Sequence, residues 1–194
     1  MMQRNEIEKI ADSVLKQFSI TSSPYSHIKE ICDHERIKIK KAKFSSSMDG
    51  AFSVIQNGKF IFYNPQMIEE RQNFTKAHEL GHYFLEHQLE AGNAIYCYNQ
   101  SVSENNQNSL PRIETEANYF ATFFLMPKEM MLTEYYVITD ILGITQSRPL
   151  YIDRQDCNFR NWTYISRHFK TRFGVSKEAL RYRLEALGKI HYRA

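Results

Sequence analysis

Two histidines one helical turn apart, with a glutamate between them, lie in a segment otherwise built for burial. Residues 78 to 82 read His-Glu-Leu-Gly-His, and Phe74, Ala77, Leu80, Phe84 and Leu85 surround them. The apolar pattern predicts one long, largely buried helix from Ile68 to His87. Polar groups survive burial only with partners. On a helix, positions i and i+4 share a face, so His78 and His82 can reach one metal ion together. Zinc accepts neutral imidazole nitrogens, and a catalytic zinc site keeps a position open for water. Glu79 stands where its carboxylate can take a proton from that water. Gly81 leaves room for another part of the chain to approach closely.

Two histidines need a third protein ligand. The longer pattern HExxHxxGxxH is excluded, because positions 85 and 88 are Leu85 and Gln88. His87, five residues past His82, is expected to point elsewhere on the helix into solvent. The segment Ile113 to Ala121 (IETEANYFA) offers Glu114 and Glu116 on a second helix. Glu114, Ala117, Asn118 and Ala121 share a face, and the two alanines allow tight packing. Asn118 could then hold a ligand's outer hydrogen bond. Glu116 shares its face with Tyr119, Phe120 and Phe123, a core pattern. Glu114 is therefore the preferred ligand, with Glu116 the alternative. Cys97 reads as an unreactive thiol beside Tyr96 and Tyr98 and not as a fourth ligand.

Around this pair of helices the pattern is α+β. Helices are expected from about Glu6 to Phe18 and from a Ser23-Pro24 start to His34, followed by a strand at Ile37 to Lys40. Asn57-Gly58 between the runs Ala51 to Ile55 and Lys59 to Tyr63 predicts a β-hairpin. The small sheet should pack on the His-bearing helix, with Ala51 to Ile55 as a free edge able to hold an extended peptide. Residues 99 to 110, rich in Asn and Ser, read as a surface loop partly covering that edge. Pro127 breaks the helical pattern, residues 143 to 159 look irregular, and two helices follow at about 161 to 172 and 176 to 187. The chain divides into a catalytic core over 1–142 and a helical C-terminal part over 143–194, packed on the core. Residues 165 to 187 are expected to form an αα-hairpin. Read instead as a helix-turn-helix, they would present Arg181 and Arg183 to DNA, giving a DNA-binding regulator with a structural zinc site. An intact Glu79 opposes that reading, since a structural site needs no base.

Composition limits the setting. The net charge of +3 over 194 residues permits nucleic-acid contact without announcing it. The N-terminal segment is amphipathic with acidic residues and lacks a signal-peptide core, and no apolar run reaches the roughly 18 residues of a membrane span. Cys32, Cys97 and Cys157 are too few and too scattered for a disulfide framework. A cytoplasmic protein is the expectation.

The stretch Arg71 to Tyr83 (RQNFTKAHELGHY) resembles the active-site helix of the ImmA/IrrE metallopeptidases, and Glu114 to Pro127 (ETEANYFATFFLMP) resembles that family's second ligand helix. Weaker similarity runs through the Asp49-Gly50 hairpin and through Phe173 to Ser176. The resemblance implies a zinc endopeptidase that cleaves a protein substrate, a helix-turn-helix repressor. It places the zinc ligands on His78, His82 and Glu114 and the general base on Glu79. Many family members carry an additional DNA-binding domain, for which this sequence has no matching segment.

Overall fold

The computed structural model describes residues 2–44, 48–56, 58–87, 94–98, 112–145 and 149–193, with 94–98 described by their backbone alone. The fold is α+β, as the patterning predicts. Helix α1 (Arg4–Gln17) buries the stripe Ile7, Ala11, Val14 and Leu15, and Glu6 caps its start by accepting from the Gln3 N–H. A short 3-10 turn (Pro24–His27) leads into α2 (Ile28–His34). Ser23 does not cap it with its side chain. Its backbone is left-handed (φ 46°), and its carbonyl accepts from the Ser26 N–H instead.

Strands β1 (Ile37–Lys41), β2 (Met48–Ile55), β3 (Gly58–Tyr63) and β4 (Ala94–Tyr98) form one sheet in the order β1-β3-β2-β4. β2 and β3 make the antiparallel hairpin, from Gly50 opposite Tyr63 to Ile55 opposite Gly58. Asn57, whose pairing with Gly58 announced it, lies outside the described residues. β2 also pairs with β4, Phe52 lying opposite Ile95 and Ser53 opposite Ala94. The expectation that Ala51 to Ile55 forms a free edge is therefore wrong. β2 is an inner strand, and among the described residues β1 and β4 are the outer ones. The expected covering loop at 99–110 lies outside the described residues.

The His-bearing helix α3 (Glu69–Phe84) is held from two sides. On one side β2 comes so near that a Cβ on Gly50 would lie 2.4 Å from Thr75 Cγ2 and 3.1 Å from Glu79 Oε1. On the other lies α4 (Arg112–Leu125), where a Cβ on Gly81 would sit 3.2 Å from the Ala117 backbone and from Phe120 Cβ. Pro127, with extended backbone, ends this run and starts α5 (Lys128–Ile141).

The C-terminal part is more regular than its sequence suggests. Two three-residue strands, β5 (Leu150–Ile152) and β6 (Ile190–Tyr192), pair in parallel. Helix α6 (Asp156–Phe173) begins earlier than expected, its first turn tied by Asp153 Oδ1 to the Gln155 N–H and to Asn158 Nδ2. Gly174, at φ 61°, ends α6, and Ser176 Oγ caps α7 (Lys177–Ala186). Phe169, Phe173, Leu180 and Leu184 join the same hydrophobic cluster as α1, α3 and α4. Arg183 is 4% exposed, and its guanidinium donates to the Met126 carbonyl (3.0 Å) and to Glu8 Oε1 (2.9 Å). It joins α7 to α1 and to the end of α4. Among the described residues no helix is long and apolar enough to cross a membrane.

The α3–α4 contact is the packing most exposed to a single change. Gly81→Val overfills it, a class of substitution that costs about 1–3 kcal/mol. The expected outcome is a lower urea midpoint with an unchanged denaturant slope.

Candidate metal centre

The close approach at Gly81 brings three side chains to one point. His78 and His82 lie one turn apart on α3, their Nε2 atoms 3.0 Å apart. Glu114, in the first turn of α4, places Oε2 3.2 Å from His78 Nε2 and Oε1 3.4 Å from His82 Nε2. Both histidines are buried, and Glu114 is 15% exposed. Among the described residues these three form the one cluster of potential metal donors.

The far side of each ring shows which electrons face the cluster. His78 Nδ1 lies 2.9 Å from Asn118 Oδ1, an acceptor, so this nitrogen carries the proton and donates. His82 Nδ1 lies 2.8 Å from His87 Nδ1. With Nδ1–H on both rings, two bare nitrogen lone pairs and a carboxylate converge with no proton between them. Three acceptors at this spacing repel unless a cation lies among them. Metal–ligand bonds of about 2.0–2.1 Å at tetrahedral angles separate ligand atoms by about 3.3 Å. The observed separations of 3.0–3.4 Å fit that geometry.

Burial shapes the electrostatics. It is the main cause that holds His82 well below the ordinary imidazole range, with His78 and His87 adding to the effect. A neutral, metal-ready ring results. Glu79 is fully buried beside the cluster, and neither of its oxygens has a hydrogen-bond partner of regular geometry. Burial first, then the nearby Glu114 carboxylate, pushes its carboxyl well above the usual range, with the Phe52 backbone N–H acting weakly against them. A buried carboxylate without a partner is costly to keep in a fold.

A profile of the IrrE N-terminal-like domain, a peptidase family, matches residues 32–185. The chain belongs to that family. The matched span runs from α2 into α7 and contains all three residues of the cluster. No curated protein matches the sequence.

Of the residues singled out from sequence, His78, His82, Glu114 and Asn118 come together, with Glu79 against β2. The expectation for His87 fails. The α-helix stops at Phe84, Glu86 takes a left-handed conformation (φ 53°), and the chain doubles back with the His87 N–H on the His82 carbonyl. The His87 side chain is thereby buried and not solvated. Glu116 does not reach the cluster, and it is not simply core. It accepts from Arg112 Nε (2.8 Å), from the Met2 N–H (2.9 Å) and from His87 Nε2 (3.3 Å). The Cys97 side chain lies outside what is described. Cys32 is buried, which pushes its thiol up to about 12 and leaves it inert.

The geometry predicts about one tightly held divalent metal ion per chain, the capacity of one three-ligand site. Elemental analysis of protein purified without chelators measures it. His82→Ala and Glu114→Gln should each abolish stoichiometric binding, while Glu79→Gln should retain it.

Proposed function

We propose that this chain is a cytoplasmic zinc-dependent endopeptidase, with His78, His82 and Glu114 as metal ligands and Glu79 as general base. The observation that carries this reading is Glu79 itself: a fully buried carboxylate without a hydrogen-bond partner, beside a three-donor cluster in a peptidase-family chain. A structural site would have no use for such a group, and a proton acceptor has.

Zinc held by His78, His82 and Glu114 would supply the Lewis acidity for activating a water and polarising the scissile carbonyl. The protein's own residues do the remainder. Glu79 takes a proton from the attacking water and later delivers it to the departing amine. Its buried surroundings keep its proton affinity high, which suits a base that must also act as an acid. Asn118 holds the His78 ring so that Nε2 faces inward. An extended substrate would add to the sheet at β4, the outer strand beside β2, through main-chain hydrogen bonds. The substrate class that the family resemblance favours is a helix-turn-helix repressor, making the activity regulatory.

The DNA-binding alternative loses its main support with Arg183, which is buried and held by Met126 and Glu8. Arg181 lies over the Tyr182 and Tyr192 rings.

Incubation of the zinc-loaded protein with repressors encoded beside its gene, followed by mass spectrometry of the products, tests the assignment. One defined cut is expected. Glu79→Gln should keep its zinc and lose about 10²–10⁴-fold in turnover. Zinc-loaded Glu79→Gln with full activity would rule out its role as base. Ser53→Pro should abolish folding as well as cleavage, because Ser53 is paired on both sides of β2.

A further inference from the structure

We propose that His87 and Glu116 form a relay that fixes which ring nitrogen His82 presents to the metal, which makes both of them positioning residues. The inference rests on the metal site proposed above and extends it outward by two residues.

The relay begins at Glu116. Its Oε1 receives two donors, Arg112 Nε and the Met2 N–H, while Oε2 faces His87 Nε2 at 3.3 Å. The ion pair with the Arg112 guanidinium and the second donor on Oε1 mark Glu116 as an ionised carboxylate. An anionic carboxylate accepts and cannot donate. His87 must therefore carry its proton on Nε2, which leaves Nδ1 as a bare acceptor. That Nδ1 lies 2.8 Å from His82 Nδ1, so His82 in turn must carry its proton on Nδ1. Its remaining lone pair, on Nε2, then faces His78 and Glu114. Each step leaves only one tautomer open, and the last is the one a metal requires.

The backbone independently points to a positioned histidine. Glu86 occupies the left-handed region without being glycine, a strained conformation that persists only where surroundings impose it. That turn carries His87 back beneath His82, with ring centroids 5.0 Å apart. The side chains of His87 and Glu116 are 5% and 4% exposed, so water does not replace either partner.

The deciding variant is Glu116→Gln, which preserves shape. Arg112 and the Met2 N–H would hold the amide oxygen, so the amide NH2 would face His87. His87 would then have to accept at Nε2 and donate from Nδ1. His82 would be driven to the Nε2–H tautomer, which cannot bind metal. Zinc affinity, read by competition with a chromophoric chelator, should fall about 10–100-fold, and His87→Ala should cause a similar loss. The double variant should lose no more than the larger single loss, because both changes break one chain. In zinc-loaded wild-type protein, nitrogen-15 NMR should show His87 as the Nε2–H tautomer. Glu116→Gln with wild-type affinity, additive losses, or His87 as Nδ1–H would each overturn the relay while leaving the peptidase assignment in place. Wild-type protein that binds no zinc would overturn both.

Discussion

Helices α3 and α4 touch through Gly81 and Ala117, two residues with almost no side chain between them. That contact sets the distance between the histidine pair and Glu114, and a bulkier residue at either position would move the third donor away. The opposite flank of α3 is equally tight, with Gly50 of β2 against Thr75 and Glu79. The helix is thus clamped between a strand and a second helix at the turns that carry its polar residues. Both contacts place backbone where a side chain would ordinarily stand, and this gives the site its precision. Rigid elements hold reacting groups better than loops do.

The same clamping leaves Glu79 without a partner. Among the described residues only the Thr75 hydroxyl and this one carboxylate are buried without a hydrogen-bond partner. Hydrophobic burial around α3, from Ala77, Leu80 and Phe120, outweighs that local penalty. Stability is given up at one residue and recovered from its neighbours, an arrangement common where a fold holds chemistry.

Much of this was legible in the sequence because helical periodicity determines which residues share a face. His78 with His82, and Glu114 with Asn118, are spacings of four, and no tertiary information is needed to pair them. The hairpin was legible from turn chemistry. What was hidden depended on departures from periodicity or on contacts distant in sequence. Periodicity sends His87 into solvent because it carries the helix past Phe84, where Glu86 reverses the chain. The inner position of β2 depends on β4, a five-residue strand whose sequence alone does not show its partner. The parallel pair β5 and β6 is three residues long and joins segments separated by two helices. The helix-turn-helix alternative for Arg183 stayed open in the sequence because an arginine buried for its hydrogen bonds has the same letter as one that is not.

Arg183 also ties together parts of the chain that are made far apart in time. Its guanidinium meets Glu8 across 175 positions of chain, and the N–H of Met2, just ahead of α1, meets Glu116 across 114. Helix α1 is synthesised early and α7 late, yet α1 finds its charged anchor only when α7 has arrived. A chain still emerging from the ribosome can hold the two histidines and the glutamate in its sequence before Arg183 exists to pair with Glu8. Contacts of such long span form late in folding. Glu8 therefore waits for a partner made 175 residues later, long after His78, His82 and Glu114 have been added to the chain.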